Sequence, residues 1–373
     1  MMSEKPGLHN CKWERAHEEQ AQKFMTVSIK GSYPMTVFET LSQRAQAFRL
    51  RRVALNALRQ YDLNIRDVRL VGQFTNTLFR ARTVGGASYL VRVCKPGWRT
   101  DEDLRSEGMW LQALSREAEI DAPVPVYSRS GSYLVEAEGK GVPGPRRCTV
   151  TSWLPGVSLE RHMSEENLYQ MGVLFTRLHE QALRFNPPPG FTTRRMDKIF
   201  ARGEADVLYG DPYRYAFTPR SREVYERTRR VVEGAYESLF REPGMRVIHN
   251  DLWHGNIHIL RGRLYPLDFE DTLWGYPVHD IAMALQDLMR ESSPGVFERL
   301  RACFRAGYES RGPWPESRPG QIDIFRAGRM IWVTNYVALY EQEYLARHIA
   351  WNAGVFEHFL DSGEVSLRYA QGA

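Results

Sequence analysis

Apolar and polar positions along the chain change period several times, and each change predicts a different kind of element. Residues 1–34 mix charges, Gly and Pro with little period, apart from a helical pattern over 14–25. They are expected to form a flexible N-terminal extension ahead of a natural start at Met35. Thr36-Val37-Phe38-Glu39 has the Thr-x-x-Glu form of a capping box, and a helical period follows to about Leu58. Between 68 and 94 the period shortens to two. The runs VRLVGQF, TLFRART and SYLVRVC read as three strands of a meander, with turns at Asn76 and at Gly85-Gly86. A helix is expected over 100–119, then strands over 132–137 and 148–153 around a Gly- and Pro-rich loop at 139–145. The sharp turn at Trp153-Leu154-Pro155-Gly156 opens a run of helices over 164–183, 196–208 and 220–240. In the first of these Ser164 is a cap, and Met171, Leu174, Phe175 and Leu178 form an apolar stripe for the core. Short strands follow at 246–248, 257–260 and 264–267, the last two joined by the tight turn Arg261-Gly262-Arg263. Helices over 281–289, 296–308, 321–346 and 349–360 complete the pattern.

Sheet first and helices afterwards make this an α+β chain, divided into residues 35–153, with the strands and a leading helix, and residues 154–373, mostly helical. With 373 residues, 43% of them hydrophobic and 12% aromatic, it has the material for a large core. The net charge of +5 is mild. Its arginines at 49–52, 220–230 and 299–305 fall at helical spacing as solvated faces, so no nucleic-acid partner is expected. Cys11, Cys94, Cys148 and Cys303 lack paired or metal-ligand spacing. No apolar run reaches the roughly 18 to 20 residues of a membrane span, and the N-terminus lacks an apolar signal core. A cytoplasmic protein without membrane contact is the expectation; the oligomeric state is open.

Candidate chemistry concentrates at 247–270, VIHNDLWHGNIHILRGRLYPLDFE. His249 and Asp251 precede Asn256 on one loop, and Asp268 ends the following hairpin. Phosphoryl transfer asks for this set: one carboxylate to orient the attacking hydroxyl, and hard oxygen ligands for magnesium. The order matches the kinase pattern His-x-Asp-x-x-x-x-Asn followed by Asp-Phe, with Glu270 where that pattern has Gly. A zinc hydrolase built on His249, Asp251, His254 and His258 is the competing reading. It leaves Asn256 and Asp268 without a role, and His258 alternates with Ile257 and Ile259 as a structural strand residue.

Other residues fit the same chemistry. Arg92, between Val91 and Val93 on the third strand, and Glu107 on the next helix would form a cation–carboxylate pair for nucleotide phosphates, with Lys95 as the rival cation. Asn76 and Thr77 either face phosphates or make an ordinary hairpin turn; with Gly72 alone, the loop is not Gly-rich. Trp153 either lines an adenine pocket or packs in the core. Asp280 caps a helix or braces the catalytic loop, and bracing is the favoured role. The stripe Phe325, Ile331, Trp332, Tyr336, Tyr340 and Tyr344 reads as core, or as polar tips facing a small acceptor.

With these residues in place, the chain resembles the aminoglycoside phosphotransferase and choline kinase-like family from about Thr36 onward. The likeness is most specific at 249–256, 268–270 and 275–280. It implies a two-lobed protein-kinase-like fold with a small antiparallel-sheet lobe and a larger helical lobe, ATP and Mg2+ as cofactors, and a small-molecule hydroxyl acceptor. It also implies Asp251 as catalytic base, Asn256 and Asp268 as metal ligands, Arg92 with Glu107 as the phosphate anchor, and His249 as support for the loop. Arg92 stands where the family commonly has Lys. Two further readings remain. A protein Ser/Thr kinase is opposed by the lack of an Ala-Pro-Glu signature or an activation segment before Gly275-Tyr276-Pro277. A nucleotide-binding pseudokinase is allowed by Arg92 and opposed by Asp251, Asn256 and Asp268.

Overall fold

The computed structural model describes residues 37–117 and 119–370; the extension at 1–34, its helical pattern at 14–25 and the Thr36 half of the expected capping box lie outside them. The chain divides into two units, one made of the described residues up to 99 with 126–150, the other of 100–125 with 151–370. In the first, helix α1 (Gln43–Leu58) starts later than the Thr-x-x-Glu pattern predicts: Val37 to Thr40 form a turn, and Ser42 caps the helix by accepting from the Ala45 N–H. Ser42 competes well for that role, since its hydroxyl needs no acidic partner.

The alternating runs become β1 (Ile65–Gln73), β2 (Thr77–Thr83) and β3 (Ser88–Val93), paired antiparallel as expected, with Phe79 opposite Val91 and Leu78 opposite Arg92. β4 (Leu134–Ala137) and β5 (Arg146–Ser152) complete a five-stranded sheet in the order β1-β2-β3-β5-β4. Leu50, Val53, Ala54 and Ala57 recur at the spacing of one helix face. They share a core with Phe79, Ala81, Val91, Cys148 and Val150 from alternate strand positions.

The second unit begins with α2 (Asp101–Leu114), shorter than the 100–119 pattern, whose Thr100 and Asp103 form a reciprocal capping box. After β6 (Val157–Ser158) comes α3 (Glu165–Arg184), capped by Ser164, with Met171, Leu174, Phe175 and Leu178 buried as the stripe predicts. The expected helix at 196–208 does not form. Ile199, Phe200 and Leu208 still enter the core, but the segment is a string of turns with Gly203 at φ +81°, and its helix-like spacing reflects burial without helical backbone. Helix α4 (Pro219–Leu239) follows, with Pro219 in its first turn and a Thr218–Ser221 capping box.

Then come β7 (Arg246–Ile248), β8 (Ile257–Leu260), β9 (Arg263–Pro266) and β10 (Leu273–Gly275). β8 and β9 form the expected hairpin, its turn carrying Arg261 and Gly262 both at positive φ, as a two-residue hairpin turn requires. β7 pairs with β10, and β6 with β8.

The remaining helices are α5 (Pro277–Arg290), α6 (Pro294–Glu309), α7 (Gln321–Tyr340) and α8 (Gln342–Ser362). The break between the last two falls at Glu341, with φ −140° and ψ 48°, rather than near residue 347. No Gly or Pro marks it, so nothing local announced it. α3 and α6 cross with their backbones nearly touching: a Cβ on Gly172 would lie 2.0 Å from the Phe304 carbonyl oxygen, and one on Gly307 1.9 Å from that of Tyr169. Thr176 seals the crossing by donating to the Tyr308 carbonyl at 3.0 Å.

Candidate active site

The loop from His249 to Asn256 leaves β7 and returns into β8, and one buried carboxylate organises its start. Asp280, in the first turn of α5, accepts from the His249 N–H at 3.1 Å, from the Asn250 N–H at 2.5 Å and from the His179 ring Nε2 at 3.1 Å. His179 in turn meets the Tyr308 hydroxyl at 3.0 Å through Nδ1. Burial alone would push the Asp280 pKa up. The His179 hydrogen bond and charge, with the Asn250 N–H, outweigh it and hold the carboxyl below its usual range, so it is an anion with three donors around it. Of the two roles open to Asp280, the geometry gives bracing of the loop.

His249 is buried, and burial lowers its pKa, so the ring is neutral. Its Nε2–H donates to the Leu267 carbonyl at 2.8 Å, which fixes the tautomer and leaves Nδ1 to accept the Asp251 N–H at 3.3 Å. Asn250, between them, is held at φ 62°. A left-handed non-Gly residue is a local cost, here sustained by the two N–H groups bound to Asp280.

Asp251 emerges from this bend. The Asn256 amide donates to its carbonyl oxygen at 2.8 Å and to Oδ2 at 3.0 Å, and Arg329 of α7 approaches Oδ1 at 3.6 Å. With both amide protons committed, the Asn256 side-chain oxygen is turned to the other side. Burial raises the Asp251 pKa to about 6 against the opposing charges of Arg329 and Arg202.

The two halves of the motif meet through Leu267. Its N–H donates to the Asn256 carbonyl at 2.8 Å while its carbonyl holds the His249 ring, so Asp268, the next residue, is tied by its backbone to the Asp251 loop. Asp268 is exposed, at φ 56° and ψ 65°, a second strained residue in the same place. Phe269 buries its ring 4.5 Å from that of His249. The imidazoles of the zinc reading do not converge: His249 is spent on Leu267, His254 Nε2 on Glu291, and His258 sits in β8.

Beside Asp251 lies a small pocket, partly open to solvent, whose lining includes Arg202, Glu204, Asn250, His279, Arg329 and Trp332. Arg329, Arg202 and Glu204 were not singled out from the sequence for the site. The one hint was the Arg329 and Trp332 spacing, which places them on one helix face, and the guanidinium indeed stacks 4.3 Å from the Trp332 ring centroid. In the aromatic stripe, Phe325 and Ile331 are core, Trp332, Tyr336 and Tyr340 are half-buried and Tyr344 is exposed. Arg202 pairs with Asp271 at 2.6 Å.

Arg92 is buried within the sheet of the first unit and donates through Nε to Thr149 Oγ1 at 3.3 Å. Asn76, also buried, accepts the Lys95 N–H at 3.0 Å, which ties the β1–β2 turn to the chain just past β3. Glu107 is buried on α2, and Trp153 is half-buried just past β5.

A family model described as the phosphotransferase enzyme family APH matches residues 67–314. An uncharacterized protein of Synechocystis sp. is 23% identical over 252 residues, and the chain spans 65% of that relative's length. Among solved structures, a microcompartment-associated aminopropanol kinase is similar with a TM-score of 0.67 at 20% identity, over 84% of this chain and 99% of that one. Amicoumacin kinase in complex with AMP-PNP, Ca2+ and Ami gives 0.66 at 16% identity, over 87% and 97%. A spectinomycin phosphotransferase gives 0.53 at 12%, over 86% and 96%. These likenesses establish a kinase-like fold with an antiparallel-sheet N-terminal lobe and a helical C-terminal region.

Proposed function

The chain belongs to the phosphotransferase enzyme family, and from that membership we propose that it transfers the γ-phosphoryl group of ATP to a hydroxyl of a small molecule, with Asp251 as the base. The observation that carries this reading is the Asp251 carboxylate, oriented by Asn256, mounted on a loop that Asp280 and His249 hold rigid, and placed beside a pocket open to solvent. A hydroxyl entering from the cavity donates to Asp251, which aims its oxygen and takes its proton as the new O–P bond forms and the bond to ADP breaks. The products are the phosphate ester and ADP, with the proton left on Asp251 and passed to water.

The donor set suits a hard cation: the Asn256 side-chain oxygen is freed by its two amide hydrogen bonds, and the Asp268 carboxylate is held nearby through Leu267. Mg2+ held there would neutralise the charge of the nucleotide phosphates. For the nucleotide itself we assign Arg92, Glu107, Asn76 and Trp153, following the family pattern. Neighbours of this fold are named as kinases of aminopropanol, amicoumacin and spectinomycin, which supports a small acceptor here too.

Asp251→Asn tests the base. It is expected to lower kcat by a factor of about 10² or more while ATP·Mg binding, followed by calorimetry, persists. Turnover at the wild-type rate would refute the assignment. The same substitution removes a carboxylate whose pKa is raised in the folded chain, so its ionisation between about pH 4 and 6 lowers stability. Asp251→Asn should therefore melt no lower than wild type at pH 7.5 and lose any advantage below pH 4, as thermal denaturation at the two pH values would show.

A further inference from the structure

Resting on the kinase reading, a second question is what kind of molecule the cavity beside Asp251 takes, and its lining is chemically asymmetric. Glu204, its carboxylate, is engaged at both oxygens: Oε1 accepts from Trp332 Nε1 at 2.9 Å and Oε2 from the Arg202 N–H at 2.9 Å. Arg202 has Asp271 at 2.6 Å. Arg329 differs. Among the described residues its one carboxylate neighbour is Asp251 at 3.6 Å, beyond hydrogen-bond reach, and its Nε is buried there without a hydrogen-bond acceptor. A guanidinium has five donors in a planar fork, and this one is held over the Trp332 ring, which restricts its movement.

The second donor is His279. It is 4% exposed, lines the same cavity, and its Nδ1 accepts the Tyr276 N–H at 3.3 Å. The ring proton is therefore on Nε2, which is buried with no partner among the described residues. Tyr236 and Phe325 hold the ring, with centroids at 5.3 and 4.5 Å. A buried N–H left without an acceptor is costly, and a guanidinium lining the same pocket favours an anion.

We propose that the acceptor carries a carboxylate besides its hydroxyl, and that Arg329 and His279 bind it, so the substrates are small hydroxy acids or hydroxy amino acids rather than polycations. Docking the carboxylate on Arg329 offers that cation a closer partner than Asp251 and leaves the Asp251 carboxylate to the hydroxyl.

The test compares three pairs of acceptors that differ by a carboxylate: D-glycerate with glycerol, L-serine with ethanolamine, and L-homoserine with 3-amino-1-propanol. ATP-dependent phosphorylation is followed in wild type and Arg329→Met. A preference of about ten- to hundredfold in kcat/KM for a carboxylate member is expected, carried mainly by KM, and it should collapse in Arg329→Met. Both members of a pair use the same base, so the ratio is insensitive to any change the substitution makes at Asp251. Preference for the uncharged or cationic members, or a preference that survives Arg329→Met, overturns the inference and leaves the kinase reading standing. If none of the six is phosphorylated, calorimetric titration of the same six decides: carboxylate-dependent binding that Arg329→Met abolishes supports the anion site even if the kinase reading fails, and its absence overturns it.

Discussion

At Asp251 the balance between burial and charge sets a pH response. Burial lifts the pKa to about 6, and Arg329 is the first of the charges that restrain it. A base must be ionised, so kcat/KM should rise with pH through an apparent pKa near 6 and level off above it. Arg329→Met removes a positive charge that favours the carboxylate. The acid limb should then move to higher pH, which a pH–rate profile of the variant with ATP in excess would show; a shift to lower pH would mean that Arg329 does not act on Asp251 through charge. The residue-level pattern His249, Asp251, Asn256 and Asp268 was legible because each lies on a short loop or hairpin whose turn residues announce it. Arg329 was not, since its relation to Asp251 exists only after α7 has packed beside the loop.

Among the elements, the crossing of α3 with α6 supports the brace behind the 249–256 loop. Tyr308 of α6 holds His179 of α3, and His179 holds Asp280. Gly172 and Gly307 let the helices approach until a methyl group at either position would collide with backbone, which cannot swing aside as a side chain does. Gly307→Ala should cost about 3 kcal/mol or more, at the upper end of overpacking effects, and lower activity together with stability. Urea unfolding and initial rates measured on the same preparation would check it; unchanged stability would mean that the helices slide apart without penalty. The same scale shows where periodicity misleads. Residues 196–208 have the spacing of a helix and bury Ile199, Phe200 and Leu208, yet their backbone turns at Gly203 and brings Arg202 and Glu204 to the cavity. Apolar spacing reports which side chains are buried, and irregular backbone can satisfy it as well as a helix can.

Taken whole, the described chain has two hydrophobic cores, one around Phe79, Val91 and Val150, the other around Phe175, Phe304 and Ile281. Phe79 is fully buried, and Phe79→Ala should remove about 3 to 5 kcal/mol from the first core. Hydrogen exchange read by mass spectrometry should show amides of 65–93 losing protection while those of 246–268 keep theirs. On the proposed nucleotide role of Asn76 and Arg92, which lie in a turn and a strand of the affected sheet, the KM for ATP should rise. Uniform loss of protection across both segments would indicate a single cooperative core.

The sequence by itself determined most strands, most helices and the order of the chemistry-bearing residues, because strand alternation, capping residues and hairpin turns are local properties of neighbouring positions; the short β6 and β10 exist only through their pairing with β8 and β7. It also carried the family likeness, whose motif is a set of fixed spacings along the 247–270 stretch. Only the tertiary structure decided that Asp280 receives the loop's N–H groups, that α7 and α8 part at Glu341, and that Arg329 and His279 face one cavity beside Asp251. Those outcomes depend on burial and on contacts between residues far apart in the chain, which no local pattern encodes.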